Sequence, residues 1–432
     1  MKRPNRLTLF IFGAMLLGVL TGFLVRAVYI TFPANPARPL PPTIIAFSDN
    51  ISLLTDMFLL MIKMIIAPLV FSTLVVGVAK LGDLKAVGRI GGKTMLWFVS
   101  ASLVSLFLGM VLVNLLKPGL SLNLPLPDAH ANTGVEGQTI SLKGFIHHLI
   151  PHSIVDAMAT NEILQIVVFA LFFGVGAAAI GEQAAPVIKL LDSVAHIMLK
   201  VTGYVMNFAP LAVFGALASV IATQGLSVLY VYLKFIGQFY LGLAALWMVI
   251  AFAGALVLRN ATGPLLKRIV SPVLMAFGTA SSEAAYPATM EQLEEFGCDK
   301  RIVSFVLPLG YSFNLDGSMM YMTFASLFIA QAYGITLSFD KQVTMLLVLM
   351  LTSKGIAGVP RASLVVIAGT LPMFHIPEGG LVLLLAIDHL LDMGRSATNV
   401  VGNAVAAAVV SKWEGALDMQ AALRNAHKIK QG

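Results

Sequence analysis

From Leu7 to Val25 the chain runs without a charged residue, and similar apolar stretches recur at roughly 45–79, 94–116, 153–181, 201–222, 230–257, 302–334 and 378–411. About 20 apolar residues span the hydrocarbon core of a bilayer, so these stretches read as membrane-crossing helices rather than as the core of a soluble domain. Composition agrees: 58% of residues are hydrophobic and 11% charged, against about 25% charged in soluble domains. With a single cysteine, Cys298, the chain has no disulfide framework and no multi-cysteine metal site.

Lys2, Arg3 and Arg6 precede the first span, and no small-residue cleavage pattern follows it, so a retained helix is expected there. With the N-terminus placed in the cytoplasm, eight spans return the C-terminus to the same side. Basic residues then sort eighteen inside against four outside: Arg38, Lys117, Lys143 and Lys341. This positive-inside bias accounts for the net charge of +7 without nucleic acid as a partner. The 182–200 stretch reads as a cytoplasmic loop, and the proline-rich 31–42 stretch as a stiff external connector. His147, His148 and His152 lack the three-or-four spacing of a helical metal site and are interrupted by Pro151, so a solvated cluster is expected.

Ionised side chains at membrane depth are costly and call for a partner, a wet cavity or a function. They concentrate in the last third. On a helix, Asp388, Asp392, Arg395, Asn399 and Asn403 fall within a sector of roughly 80° and make one polar stripe. In the seventh span, Asn314 and Asp316 are two residues apart and would face different sides of a regular helix, which predicts unwinding near Gly317. Unwound carbonyls at membrane depth are tolerated where they line a cavity, and beside a carboxylate they coordinate cations. Two further apolar segments, about 263–290 and 343–374, are interrupted by Gly278–Pro287 and Thr352–Arg361, and read as hairpins that enter and return. The order hairpin, span, hairpin, span is a duplicated unit, the pointer to a secondary transporter with its site near the midplane. No Walker-type loop, G-x-S-x-G elbow or H-E-x-x-H pair is present.

At these residues the chain resembles the glutamate transporter family, the dicarboxylate/amino acid:cation symporters, and within it the bacterial proton-coupled glutamate/aspartate members. The resemblance runs from the Lys63-Met64 region to Asn403. It is carried by the serine-rich first hairpin tip, by Asn314-Leu315-Asp316-Gly317-Ser318, by Gly358-Val359-Pro360 and by the Asp392, Arg395, Asn399 spacing. It implies an all-α integral membrane fold of eight transmembrane helices plus two re-entrant hairpins in an inverted repeat, working as an elevator and assembled as a homotrimer in the bacterial inner membrane. Scaffold parts would be 1–93 and 117–222, transport parts 94–116 and 223–411, and 412–432 a cytoplasmic tail.

The resemblance also implies roles. Arg395 would take the substrate's side-chain carboxylate, Asp392 its α-amino group, and Asn399 and Ser318 its α-carboxylate, with Ser281, Ser282, Ser396 and the backbone around Val359 assisting. Cation-site candidates are Gly310, Ser312, Asn314, Asp316, Ser353 and Asn403, with no metal beyond Na⁺ and no organic cofactor. Three departures bear on coupling: Asn403 where sodium-coupled relatives have a carboxylate, the Trp97–Ser102 patch of span three, and Leu315 in place of a methionine. Glu283 stands where the family has a serine, and Arg361 where it has a small residue. A glutamate there can cross the membrane as the neutral acid, so H⁺ is the expected coupling ion and Na⁺ the alternative, with Arg361 as the structural partner Glu283 would otherwise have. The expected activity is import of L-glutamate or L-aspartate. The alternatives are a sodium-coupled or C4-dicarboxylate symporter and, from another class, an intramembrane enzyme using Asp316 or Asp392.

Overall fold

The computed structural model describes residues 6–29, 40–81, 84–121, 149–353, 362–385 and 387–423. Val359, Arg361, His147, His148 and most of the proline-rich connector lie outside the described residues. The principal helices are α1 (Arg6–Tyr29), α2 (Pro42–Leu81), α3 (Leu84–Leu116), α4 (Ile163–Ile180), α5 (Ala185–Met206), α6 (Ala209–Leu258), α7 (Thr262–Arg268), α8 (Val270–Thr279), α9 (Tyr286–Phe296), α10 (Lys300–Phe313), α11 (Asp316–Ala332), α12 (Phe339–Thr352), α13 (Ala362–Thr370) and α14 (Asp388–Trp413). Among the described residues there is no β-strand, only an isolated antiparallel bridge between Cys298 and Leu417. Among the described residues, five helical runs are long and apolar enough to cross a membrane: Leu9–Tyr29, Pro42–Ala79, Lys85–Leu120, Ile163–Met206 and Tyr232–Arg268.

Two expectations change, and a third, the unwinding in span seven, is located. Most of the 182–200 stretch is the helix α5, not a loop. Its Lys189, Asp192, His196 and Lys200 recur at helical spacing on one side, while Ala195, Thr202, Val205 and Met206 are buried; such an amphipathic helix looks like a polar loop when charge alone is read. The span 302–334 is unwound as expected, into the two helices α10 and α11, but the break lies at Asn314 and Leu315 (φ −125° and −97°, ψ 63° and 67°), just ahead of Gly317. The last long helix starts at Asp388 rather than 378, after short turns at Glu378–Leu381 and Val382–Leu385.

In each interrupted segment the two helical arms pack on one another. In the first, α7 and α8 lead to a turn at Ala280, held left-handed at φ 50°, from which α9 returns. An Arg268–Glu295 ion pair of 2.6 Å joins the bases of the two arms. In the second, α12 and α13 pack side by side.

Packing divides α6 in two. Its first half lies against α1 and α2: Cβ atoms added to Gly18 and Gly22 would strike the carbonyl oxygens of Phe214 and Ala218, and one added to Gly215 would strike that of Ile51. Thr55 donates to the Ala212 carbonyl at 2.8 Å, and the Ser48 and Ser219 hydroxyls bond at 2.8 Å. Small residues let membrane helices approach this closely. At Gly225 the backbone leaves helical geometry (φ 69°, ψ 167°). Beyond it, α6 packs on α14: Trp247 Nε1 donates to Thr398 Oγ1 at 2.8 Å, and the Tyr240 hydroxyl donates to the Leu390 carbonyl at 2.7 Å. α14 also packs against α3, α8, α10 and α11.

The end of α14 is tied down. Glu414 pairs with Arg89 at 2.8 Å and Lys93 at 2.7 Å, both at the start of α3, beside a Trp97–Trp413 edge contact. Those cations hold the Glu414 carboxyl below the usual carboxylate range. The stabilisation is therefore complete above the ordinary glutamate value and is lost as pH falls through the lowered one. Past it the chain docks on the turn before α10: the Asp299 amide donates to the Ala416 carbonyl at 3.1 Å, and the Asp418 amide to that of Gly297 at 2.9 Å. The described part of the expected tail is thus packed against the protein.

Candidate functional site

Two helices crossing at their polar residues build the site. The break at Asn314 and Leu315 turns Asn314, Asp316 and Ser318 toward the stripe of α14, and all three are buried. Asn314 Nδ2 donates to Asp316 Oδ2 at 3.0 Å and to Asn403 Oδ1 at 3.2 Å. Asn399 closes the junction from the other side: its Oδ1 accepts from the amides of Gly317 (2.9 Å) and Ser318 (3.4 Å), and its Nδ2 donates to Ser318 Oγ at 3.2 Å. Gly317 is not the break itself. It sits in the first turn of α11, where a Cβ would strike the Arg395 backbone.

Two more glycines set the approach. A Cβ on Gly310 would meet the Asn403 amide, and one on Gly402 would overlap the Asp316 carboxylate. Overpacking a tight core costs about 1–3 kcal/mol. Gly402→Ala is therefore expected to lower the thermal unfolding temperature of the purified protein and to weaken transport, and an unchanged unfolding curve would show that the junction is loose.

Arg395 lies 1% exposed between two carboxylates. Its Nη2 is 3.1 Å from Asp388 Oδ1 and 3.0 Å from Asp392 Oδ1. The guanidinium carbon stands 4.1 Å from the centroid of the Tyr321 ring, whose hydroxyl donates to Asp388 at 3.3 Å. Asp388 is buried, whereas the Asp392 side chain is 34% exposed. Among the described residues, Nε and Nη1 of Arg395 are buried without a hydrogen-bond partner. A buried guanidinium nitrogen is rarely left unpaired, and these two offer donors on separate edges of the planar group, each shared with the occupied Nη2 or facing away from it.

The remaining sequence candidates divide. Among the described residues, Ser312 on α10 is buried with its hydroxyl unpartnered, as are Asn314 Oδ1 and Asn403 Nδ2 at the junction itself. Ser396 is buried next to Arg395. Ser353, at the end of α12, donates to the Met350 carbonyl at 2.9 Å and reaches Met319 Sδ of α11 at 3.4 Å. In the first hairpin tip, Ser281 Oγ accepts from the Ala284 amide at 3.2 Å and so caps the Glu283–Ala285 turn. Ser282 and Glu283 are half-buried. Glu283 lines a small cavity with Ile66, Val70, Ile163, Tyr286, Pro308 and Tyr311, where α2 and α4 meet α10.

Sequence reasoning missed several residues here. Span three does supply hydroxyls: Ser102 donates to the Phe313 carbonyl at 3.4 Å, and Ser105, one turn on, to Asp316 Oδ1 at 3.3 Å. The three-residue spacing was the available signal. Asp388 was on the stripe but without a role, while Tyr321 and Trp247 carried no sequence signal apart from burial.

Residues 7–413 match the sodium:dicarboxylate symporter family. The chain is 38% identical over 406 residues to the proton/sodium-glutamate symport protein of Bacillus caldotenax, covering 92% of this chain and 93% of that one. It is 40% identical over 395 residues to the C4-dicarboxylate transport protein of Laribacter hongkongensis, covering 88% of each. To the proton/glutamate-aspartate symporter of Bacillus subtilis it is 40% identical over 364 residues, covering 84% of this chain and 88% of that one.

Proposed function

The chain belongs to the sodium:dicarboxylate symporter family, and from that premise we propose that it imports L-glutamate or L-aspartate by symport with protons. The protein is a membrane transporter and not an enzyme, which removes the intramembrane-enzyme alternative. One observation carries the choice of substrate: among the described residues, Arg395 keeps two buried, unpartnered nitrogens while Asp388 and Asp392 both stand against its third. Formally the cluster is one positive against two negative charges. A C4-dicarboxylate would add two negative charges in a site of low dielectric. An acidic amino acid adds the same two carboxylates with an ammonium, and the partial exposure of the Asp392 side chain, 34%, supports it as the partner of that ammonium. In this reading Arg395 takes the side-chain carboxylate, Asp392 the ammonium, and Asn399 and Ser318 the α-carboxylate, with Ser281, Ser282, Ser396 and the Val359 backbone closing over it.

The names of relatives keep the C4-dicarboxylate reading in view. Counterflow of labelled L-aspartate in proteoliposomes separates the two: competition by unlabelled L-glutamate is expected, and competition by succinate without any by L-aspartate would sink the proposal.

Protons are favoured over Na⁺ by the state of the polar junction. Both Asp316 carboxylate oxygens accept donors, from Ser105 and Asn314, and Asn403 offers an amide where a second acid would strengthen cation binding. Glu283, with Arg361 in the opposite hairpin tip, is the proposed proton carrier. Replacing Na⁺ with choline is expected to leave uptake intact, while Glu283→Gln is expected to abolish its response to an imposed pH gradient. Unchanged pH dependence in that variant would remove Glu283 from the mechanism, and loss of uptake in choline would establish sodium coupling through Gly310, Ser312, Asn314, Asp316, Ser353 and Asn403.

Transport by relative sliding of two bodies is supported by the change of packing partners at Gly225. Residues 1–93 and 117–222 form the scaffold in this proposal, and 94–116 and 223–411 the moving part. The hairpins enter from opposite sides, both termini face the cytoplasm across the bacterial inner membrane, and three copies assemble through the scaffold amid lipid.

A further inference from the structure

Arg26 is a basic residue near the end of an otherwise apolar helix, where an ionised side chain needs compensation. Its surroundings supply it. The guanidinium Nη1 donates to the carbonyl oxygens of Ala222 at 2.9 Å and Thr223 at 2.7 Å, in the last turn of α6 before the break at Gly225. A helix break orphans the carbonyls of the preceding turn, and lipid offers them no water. The negative end of a helix dipole also favours a cation there.

Register shows that the contact is built in. Gly18, Gly22 and Arg26 follow one another at four-residue steps on α1, and they meet Phe214, Ala218 and Ala222, also four apart, on α6. Two glycine close approaches thus lead directly to the clamp. Gly225 completes it: its backbone (φ 69°, ψ 167°) is open to glycine but strained for other residues, and a Cβ there would fall within the Arg26 guanidinium. The side that the glycine leaves vacant is filled by the arginine.

We propose that Arg26 is a positioning residue for the transport cycle, anchoring the fixed end of a pivot at Gly225 about which the second half of α6 and its partners move. This rests on the two-body reading above. Arg26 touches none of the residues that build the polar junction, so its effect is on the rate of crossing and not on substrate affinity.

The test compares Arg26→Met, Arg26→Lys and Gly225→Ala with the parent protein in proteoliposomes, using labelled L-aspartate. Arg26→Met is expected to lower maximal uptake about tenfold while the half-saturating concentration stays within about twofold. Arg26→Lys should recover part of the rate, because one ammonium can reach the same carbonyls, and Gly225→Ala should repeat the rate loss with Arg26 present. Wild-type rate in Arg26→Met overturns the proposal. So does loss of L-aspartate binding in step with rate, or failure to purify in folded form, since either assigns Arg26 to scaffold stability. A disulfide between Gly77→Cys and Ser304→Cys, across the two bodies, tells the two failures apart: a cross-linked protein that still transports defeats the two-body reading, while an inactive one beside a wild-type Arg26→Met defeats the pivot alone.

Discussion

Arg395→Lys is expected to lower L-aspartate uptake by about a hundredfold or more, the loss that follows when a buried, hydrogen-bonded charge contact worth about 2–5 kcal/mol is truncated. The substitution keeps the positive charge and so isolates geometry. In the parent protein one guanidinium nitrogen serves both Asp388 and Asp392, while Nε and Nη1 have no hydrogen-bond partner among the described residues. A lysine ammonium is a single point and cannot hold two carboxylates and still present further donors fixed in a plane. It also loses the stacking of the guanidinium over Tyr321, 4.1 Å away. Arg395→Gln should be worse, because it leaves two carboxylates, one of them buried, without their cation, and removing one partner of a buried pair costs about 3–5 kcal/mol. That variant is expected to lose thermal stability as well as uptake, whereas Arg395→Lys should lose uptake first. A lysine variant with near-normal half-saturation would show that Arg395 braces Asp388 and Asp392 and never meets the substrate.

How much of this was legible in the sequence depends on the kind of signal. The polar stripe of α14 could be read because one helix carries it and the 3.6-residue period is intrinsic to the backbone. The break between α10 and α11 could be read because Asn314 and Asp316 could not serve one face across an unbroken turn. Helix α5 was hidden: Lys189, Asp192, His196 and Lys200 suggested a loop, and only its packing against α2 shows that they form the outer side of a helix. The hydroxyl of Ser281 also accepts from the Ala284 amide within its own turn, a local contact that leaves its proton to donate and that residue type alone does not announce. Ser105, Tyr321, Trp247 and the Arg26 contact each depend on residues more than sixty positions away, and spacing along one chain segment carries no trace of such pairs.

A disulfide between Gly77→Cys on α2 and Ser304→Cys on α10 is expected to stop uptake in proportion to the fraction cross-linked, with reductant restoring it. The geometry permits the bond, since a Cβ placed on Gly77 lies 3.7 Å from that of Ser304, against a typical Cβ separation of about 3.8 Å in disulfides. The buried native Cys298 is replaced by alanine to keep the pairing unambiguous. Magnitudes decide the outcome. A disulfide tolerates Cα separations of about 4.4–6.8 Å, which leaves roughly 2 Å of play, while sliding one helix past another by a single turn needs about 5.4 Å. The bond therefore cannot survive even the smallest discrete step between the bodies, yet it touches neither Arg395 nor the Asn314–Asn403 junction, so L-aspartate binding by the cross-linked protein should persist. Binding retained with uptake lost is the signature of an arrested slide. Uptake at the uncross-linked rate would mean that α2 and α10 travel together, and the division of the chain at Gly225 would then mark a bend within one body rather than the boundary between two.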